Sequence, residues 1–252
     1  MATVLIDIDG VLTVSWKALP GAVEALKRLG REGHRFLLLT NTTSRTRASI
    51  TAALVSAGFP VTEEDVLTAT SATAEHLRRE HPDARCFLLS GGDVTEDLPG
   101  VRFVDDDPDI VVIGGAGPEF DYPTVNRVFG FLQGGAKLVA MARNLAWRTD
   151  EGLQLDAGAY LLGLEAAAGV RAEVVGKPSA SFFRSALASL GAETGFMIGD
   201  DLEADVLAAQ RAGLTGIQVR TGKFRPSDLD RGTPDHLVDS IVELPDLLAS
   251  LG

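Results

Sequence analysis

The chain has 252 residues, 45% of them hydrophobic and 23% charged, enough apolar surface for one large core or two modest ones, which excludes a disordered polymer. Its 23 Lys and Arg stand against 35 Asp and Glu, a net charge of −12, and so acidic a surface repels a phosphate backbone, which argues against nucleic acid as a partner. One cysteine, four histidines without zinc-type spacing, and no apolar run near the ~20 residues of a membrane span point to a reducing compartment and no membrane partner. Met1 to Asp9 has no basic n-region, and the expected location is the cytoplasm.

Short apolar runs alternate with longer amphipathic ones. Thr3–Asp7 reads as a strand, Pro20–Gly33 as a helix, Arg35–Thr40 as a strand and Ser44–Gly58 as a helix, an order that implies a parallel sheet. Arg85–Ser90, Asp109–Gly114 and Lys137–Ala142 follow as strands, with Tyr122–Gln133 and Ala157–Ala168 as helices and Gly91–Asp109 as an irregular connection. The opening pattern then returns: Ala172–Val175, a helix opened by Pro178, the strand Gly195–Gly199, a helix over Glu203–Gly213, and the strand Thr215–Val219. The expected fold is α/β: a three-layer, Rossmann-like parallel-sheet core with both chain ends in one sheet. Residues 1–70 and 172–252 would form this discontinuous core, and 71–171 an inserted α/β domain.

In an open parallel sheet ligands collect beyond the carboxyl ends of the strands, so polar residues that end apolar runs are the ones to inspect. Asp7 and Asp9 lie two positions apart in extended chain and project to one side, with Gly10 allowing a sharp exit. Two carboxylates so close repel each other, and a hard divalent cation such as Mg²⁺ is the usual remedy; the plain alternative is a pair of solvated loop acids. Thr40-Asn41-Thr42-Thr43 ends a strand just before a helix, an anion cradle or simply a helix cap. Lys177 is fixed beside Pro178 at a helix start, where an ammonium could neutralise phosphate or merely be a surface charge. Asp200, Asp201, Glu203 and Asp205 follow a buried strand; Asp201 and Glu203 suit a helix start, and Asp200 at the strand tip suits a ligand.

A nucleophile candidate, a hydroxyl, a lysine and an acid cluster, in that order and each at a strand end, resemble the four motifs of the haloacid dehalogenase superfamily phosphatases. The match runs through Asp7-Ile8-Asp9-Gly10, Thr40-Asn41, Lys177, and Gly199-Asp200-Asp201 to Asp205, with Leu19-Pro20-Gly21-Ala22 and Val219-Arg220-Thr221-Gly222-Lys223 besides. Thr40 to Thr43, Asp150-Glu151-Gly152-Leu153 and Val175-Gly176-Lys177-Pro178 bring it nearest to the branch that holds the phospholysine phosphohistidine inorganic pyrophosphate phosphatases. Only 33 positions separate Asp7 from Thr40 but 137 separate Thr40 from Lys177, which selects the subclass with its cap domain between the second and third motifs (IIA).

The resemblance implies a Mg²⁺-dependent phosphatase acting on a small phosphorylated substrate through an aspartyl-phosphate. Asp7 would be the nucleophile and Asp9 the general acid and base; Asp7, the Asp9 carbonyl and Asp200 would hold the metal. Thr40, Asn41 and Lys177 would bind the phosphoryl oxygens, with Asp205 supporting. In the inserted domain Arg143, Asn144, Trp147, Arg148 and Tyr160 are candidates for reading the leaving group. A pyrophosphatase or a phosphohistidine or phospholysine phosphatase is the alternative within the class, and a phospho-receiver or non-catalytic binding module the alternative outside it. A homo-oligomer is compatible with all of these. Cys86 reads as a buried small hydrophobe, and no role follows for His34, His76, His81 or His236.

Overall fold

The computed structural model describes residues 1–149 and 152–251, the side chains of Arg148, Thr149 and Leu153 excepted. The chain divides into two compact units, one of Met1–Thr40, Ala48–Leu67 and Pro178–Gly252, the other of Asn41–Arg47 and Thr68–Lys177. Among the described residues no helix is long and apolar enough to cross a membrane.

The first unit is built on a six-stranded sheet in the order His236–Val238, Thr215–Val219, Phe196–Gly199, Thr3–Asp7, Arg35–Thr40 and Val66–Thr68. Pairings from His236–Val238 through Arg35–Thr40 are all parallel, so both chain ends do share one sheet. Val4, Leu5 and Ile6 are all fully buried; Val4 and Ile6 join a cluster with Leu26 and Leu29, while Leu5 between them faces the opposite side. Burial on both faces is what a parallel sheet requires and what produces a three-layer unit. The helix Ala22–Arg31 buries Ala22, Ala25, Leu26 and Leu29, the stripe of a 3.6-residue repeat. A small hairpin, Thr13–Val14 with Lys17–Ala18, turns at Ser15 and Trp16, both with positive φ, the backbone of a two-residue type I′ loop. The helix expected over Glu203–Gly213 is present, opening as a π-helical turn, Leu202–Leu207, that runs into α-helix Ala208–Arg211; the Val206 N–H reaches the Asp201 carbonyl at 3.4 Å.

The second unit has a five-stranded sheet in the order Glu173–Val174, Lys137–Ala140, Ile110–Ile113, Arg85–Leu89 and Arg102–Phe103, every pair parallel. Glu173–Val174 therefore corrects the sequence reading: it closes this sheet against Lys137–Ala140 and is not part of the returning pattern of the first unit. The helix Tyr122–Gln133 starts where expected because the Asp121 carboxylate accepts from Thr124 N–H at 2.8 Å and Pro123 occupies its first turn. Ala157–Ala168 is capped by Asp156 and ends on Gly169 at φ 68°. A further helix, Ala69–Glu80, and an antiparallel hairpin, Ala146–Thr149 with Gly152–Leu155, complete the unit. Asp150 and Glu151 of the motif quoted above lie outside the described residues.

Candidate active site

The strand order of the first unit reverses direction at Thr3–Asp7. From there the chain adds Arg35–Thr40 and Val66–Thr68 on one side, and Phe196–Gly199, Thr215–Val219 and His236–Val238 on the other. A ligand cleft is expected outside the carboxyl ends at such a reversal. Asp7 ends its strand there, and Asp200 directly follows the neighbouring one. Carboxylate oxygens of Asp7, Asp200 and Asp205 lie within 4.8 Å of one another, and all three side chains are buried.

Asp200 is held by backbone. Its Oδ2 accepts from Lys223 N–H at 2.8 Å, and a Cβ at either Gly10 (φ 84°) or Gly222 (φ 65°) would collide with that oxygen. Both positions need glycine twice over, for the left-handed backbone and for the close approach. The other oxygen, Oδ1, is buried and has no hydrogen-bond partner. Burial first, then the charges of Asp7 and Asp205, push the Asp200 carboxyl well above the usual carboxylate range, with Lys223 pulling the other way. A buried acid carrying an unsatisfied oxygen, beside two more acids, fits a bound cation: the charge would repay the desolvation and fill the vacant acceptor.

Asp205 reaches the group because the π turn presents it. Its Oδ2 accepts from Asp201 N–H at 3.2 Å, and a Cβ at Gly199 would strike its carboxylate. Asp201 is a helix cap, its Oδ1 accepting from Glu203 N–H and Ala204 N–H at 3.2 and 3.0 Å, and Glu203 pairs with Arg211 at 2.8 Å. Asp9 is half-buried in the tight turn after the first strand, bridged to Thr13, and Thr40 is buried at the end of its strand.

Three residues of this region went unassigned in the sequence. Lys223 follows Thr215–Val219; its ammonium is 3.7 Å from Asp201 Oδ2. Desolvation lowers its pKa, but Asp200, Asp201, Asp7 and Asp205 together outweigh that and hold it above the ordinary lysine range. Gln218 is fully buried and donates to the Asp200 and Val219 carbonyls at 2.8 and 3.0 Å. Thr221 Oγ1 donates to the Gly10 carbonyl at 2.5 Å. The carboxyl end of the strand Thr215–Val219 was the available signal for Lys223 and Thr221; none existed for Gln218.

Asn41 and Lys177 come together in the second unit. The Asn41 side chain grips the Lys177 backbone both ways, accepting from its N–H at 3.0 Å and donating to its carbonyl at 2.9 Å, and it also donates to Asn144 Oδ1 at 2.9 Å. Lys177 itself is buried. Arg143 is paired with the buried carboxylate of Glu165, which also accepts from Ala172 N–H at 2.8 Å. Tyr160 lies tilted against Phe120, with ring centroids 4.9 Å apart, and packs on the core of the unit. Trp147 is 45% exposed, and the Arg148 side chain lies outside the described residues.

Residues 4–103 match the model of the haloacid dehalogenase-like hydrolases, and residues 174–244 match a second, HAD-hydrolase-like model. The human phospholysine phosphohistidine inorganic pyrophosphate phosphatase is 38% identical over 97% of this chain and 93% of its own. This chain belongs to the haloacid dehalogenase-like hydrolases. Within that family, the cattle haloacid dehalogenase-like hydrolase domain-containing protein 2 is 36% identical, with 96% of each chain covered. Among solved structures, a p-nitrophenyl phosphatase from Archaeoglobus fulgidus superposes with a TM-score of 0.91 at 28% identity, covering 98% of both chains. NagD from E. coli K-12 superposes at 0.87 and 30% identity, over 96% of this chain and 98% of its own. The chain is a phosphatase of the haloacid dehalogenase type.

Proposed function

We propose that this phosphatase hydrolyses a small phosphomonoester, with Asp7 as nucleophile and Asp9 as proton donor and acceptor. The observation that carries the reading is the meeting of Asp7, Asp200 and Asp205 at the strand reversal, with Asp200 buried and one of its oxygens unsatisfied. Asp7, the Asp9 carbonyl and Asp200 would hold Mg²⁺. When bound, the ion would offset the repulsion between an anionic nucleophile and an anionic phosphate.

The remaining work falls to side chains. The Asp7 carboxylate attacks phosphorus, so that one displacement is split in two through an aspartyl-phosphate. Asp9 gives its proton to the departing alkoxide and then takes one from the water that cleaves the acyl phosphate. Thr40, Asn41 and Lys177 would bind phosphoryl oxygens, the Asn41 side chain doing so at one remove by fixing the Lys177 backbone. Asp205 would keep the acid group in register, and Lys223 joins it as a counter-charge.

Residues 71–171 would act as the cap that reads the leaving group, with Trp147, exposed on its hairpin, and Arg148 among its candidate readers. Arg143, Asn144 and Tyr160 would support them through the contacts given above. A pyrophosphate or phosphoamide substrate remains the second reading, favoured by the 38% identity to the human phosphatase of that name. Phosphate release from a panel of phosphorylated metabolites, pyrophosphate and phosphohistidine, with Mg²⁺, tests both. Asp7→Asn should abolish turnover with unchanged circular dichroism; activity within tenfold of wild type would overturn the assignment.

A further inference from the structure

The second unit carries a cluster that the phosphatase chemistry does not use. His76, near the end of the helix Ala69–Glu80, His81 just beyond it, and Glu173 on the edge strand Glu173–Val174 each offer a ligand atom, all within 4.8 Å of one another. We infer that His76, His81 and Glu173 form a binding site for one divalent transition-metal ion, with Zn²⁺ the ion their donor set suits.

Five positions would place two residues on different faces of a continuous α-helix. Here the helix stops at Glu80, and His81 takes a non-helical backbone, φ −138° and ψ 53°, which turns its ring to within 5.8 Å of the His76 ring, edge to face. His76 Nε2 is buried without a hydrogen-bond partner, although Glu173 Oε1 stands only 3.3 Å away. Ligand atoms on tetrahedral zinc, with bonds of about 2.0–2.1 Å, stand about 3.3 Å apart. His81 Nε2 lies 4.0 Å from the other Glu173 oxygen, and Glu173, its side chain 55% exposed, is free to close that gap. Glu80 adds negative charge close enough to interact with both imidazoles. Two imidazoles and one carboxylate are borderline ligands that favour zinc over magnesium or calcium, and three protein ligands leave a fourth position for water or a further group. An ion there would tie the end of the helix to the edge of the sheet.

The test is equilibrium dialysis of the full chain against Zn²⁺ in excess Mg²⁺, with metal counted per chain, and the visible spectrum of the Co²⁺ form. The expected result is one equivalent of zinc and an intense tetrahedral Co²⁺ spectrum. His81→Asn and Glu173→Gln should each weaken binding by about tenfold or more, whereas Asp200→Asn should leave it intact. Glu173→Gln, at an exposed position, keeps the test valid should the histidine variant fail to fold. Zinc lost only in Asp200→Asn would place the ion at the phosphatase acids and overturn the inference, as would undiminished binding in both second-unit variants or no zinc retained by wild type. The phosphatase reading stands or falls separately, on phosphate release by Asp7→Asn.

Discussion

Replacing Asp200 by asparagine should raise stability without metal and remove the stability that metal confers. The Asp200 carboxyl is 2% exposed, and its pKa is higher in the folded chain than in the unfolded one. The native state therefore holds this proton more tightly, and the fold loses stability as pH rises from the ordinary carboxylate range through the folded value. At 4.8 Å, the outer limit of the cluster, two like charges at an effective dielectric of 20 repel by about 3.5 kcal/mol. Lys223 and proton uptake offset part of this, so the neutral amide should gain about 1–2 kcal/mol at pH 8, or about 3–6 °C in Tm for a chain of this length. The gain should shrink as pH falls towards the ordinary carboxylate range, where Asp200 is protonated anyway. Mg²⁺ at a hundred times its Kd should stabilise wild type by about 2.7 kcal/mol, about 5–10 °C, and the variant hardly at all. Scanning calorimetry at pH 5 and pH 8, with chelator and with Mg²⁺, reads all four states. An Asp200→Asn protein that melts below wild type in chelator refutes the repulsion argument, and one that keeps the Mg²⁺ shift refutes Asp200 as a metal holder.

Asp9→Asn should slow alkyl phosphates far more than aryl phosphates, whose leaving groups need little protonation; equal losses in kcat/KM would remove Asp9 as the acid. Arg143→Ala strands the Glu165 carboxylate, which the guanidinium and then the Ala172 N–H hold below the usual range despite burial. It should cost about 3 kcal/mol in urea melts, and a loss under 1 kcal/mol would mean that the pair is idle. Burial pushes the Cys86 thiol up to about 11, so alkylating reagents at pH 8 should leave the folded chain unmodified and react only on denaturation.

The outline of the first unit was legible because each of its long strands is an apolar run that stops on a polar residue, as at Asp7, Thr40 and Asp200. The same stops located the catalytic candidates. Elements that announce themselves only through distant partners were not legible. Glu173–Val174 is two residues long, too short to carry a pattern that says which sheet it joins. The helix Ala69–Glu80 carries little signal in the sequence because its buried face is Ala69, Thr70, Thr73, Ala74 and Leu77, in which two threonines count as polar and two alanines hardly count as apolar. The boundary shifts as well: the helix read over Ser44–Gly58 spans Arg47–Ser56. Arg143 and Tyr160 are candidate substrate readers by residue type, and only the fold supplies Glu165 and Phe120 as their partners. His76 and His81 carry no metal-type spacing in the sequence, and Glu173, which the fold sets beside them, comes from a strand near the end of that unit.

The π turn at Leu202–Leu207 bears on how this region can change by insertion and deletion. A π turn is an α-helix carrying one extra residue, so losing a single residue between Asp201 and Ala208 would return the segment to the commoner helix and narrow the turn that presents Asp205. The following helix Ala208–Arg211 would keep its register, while Asp205, inside the turn, would shift against Asp7 and Asp200. One-residue deletions here should therefore yield folded but inactive chains, making length, more than composition, the guarded property of this segment.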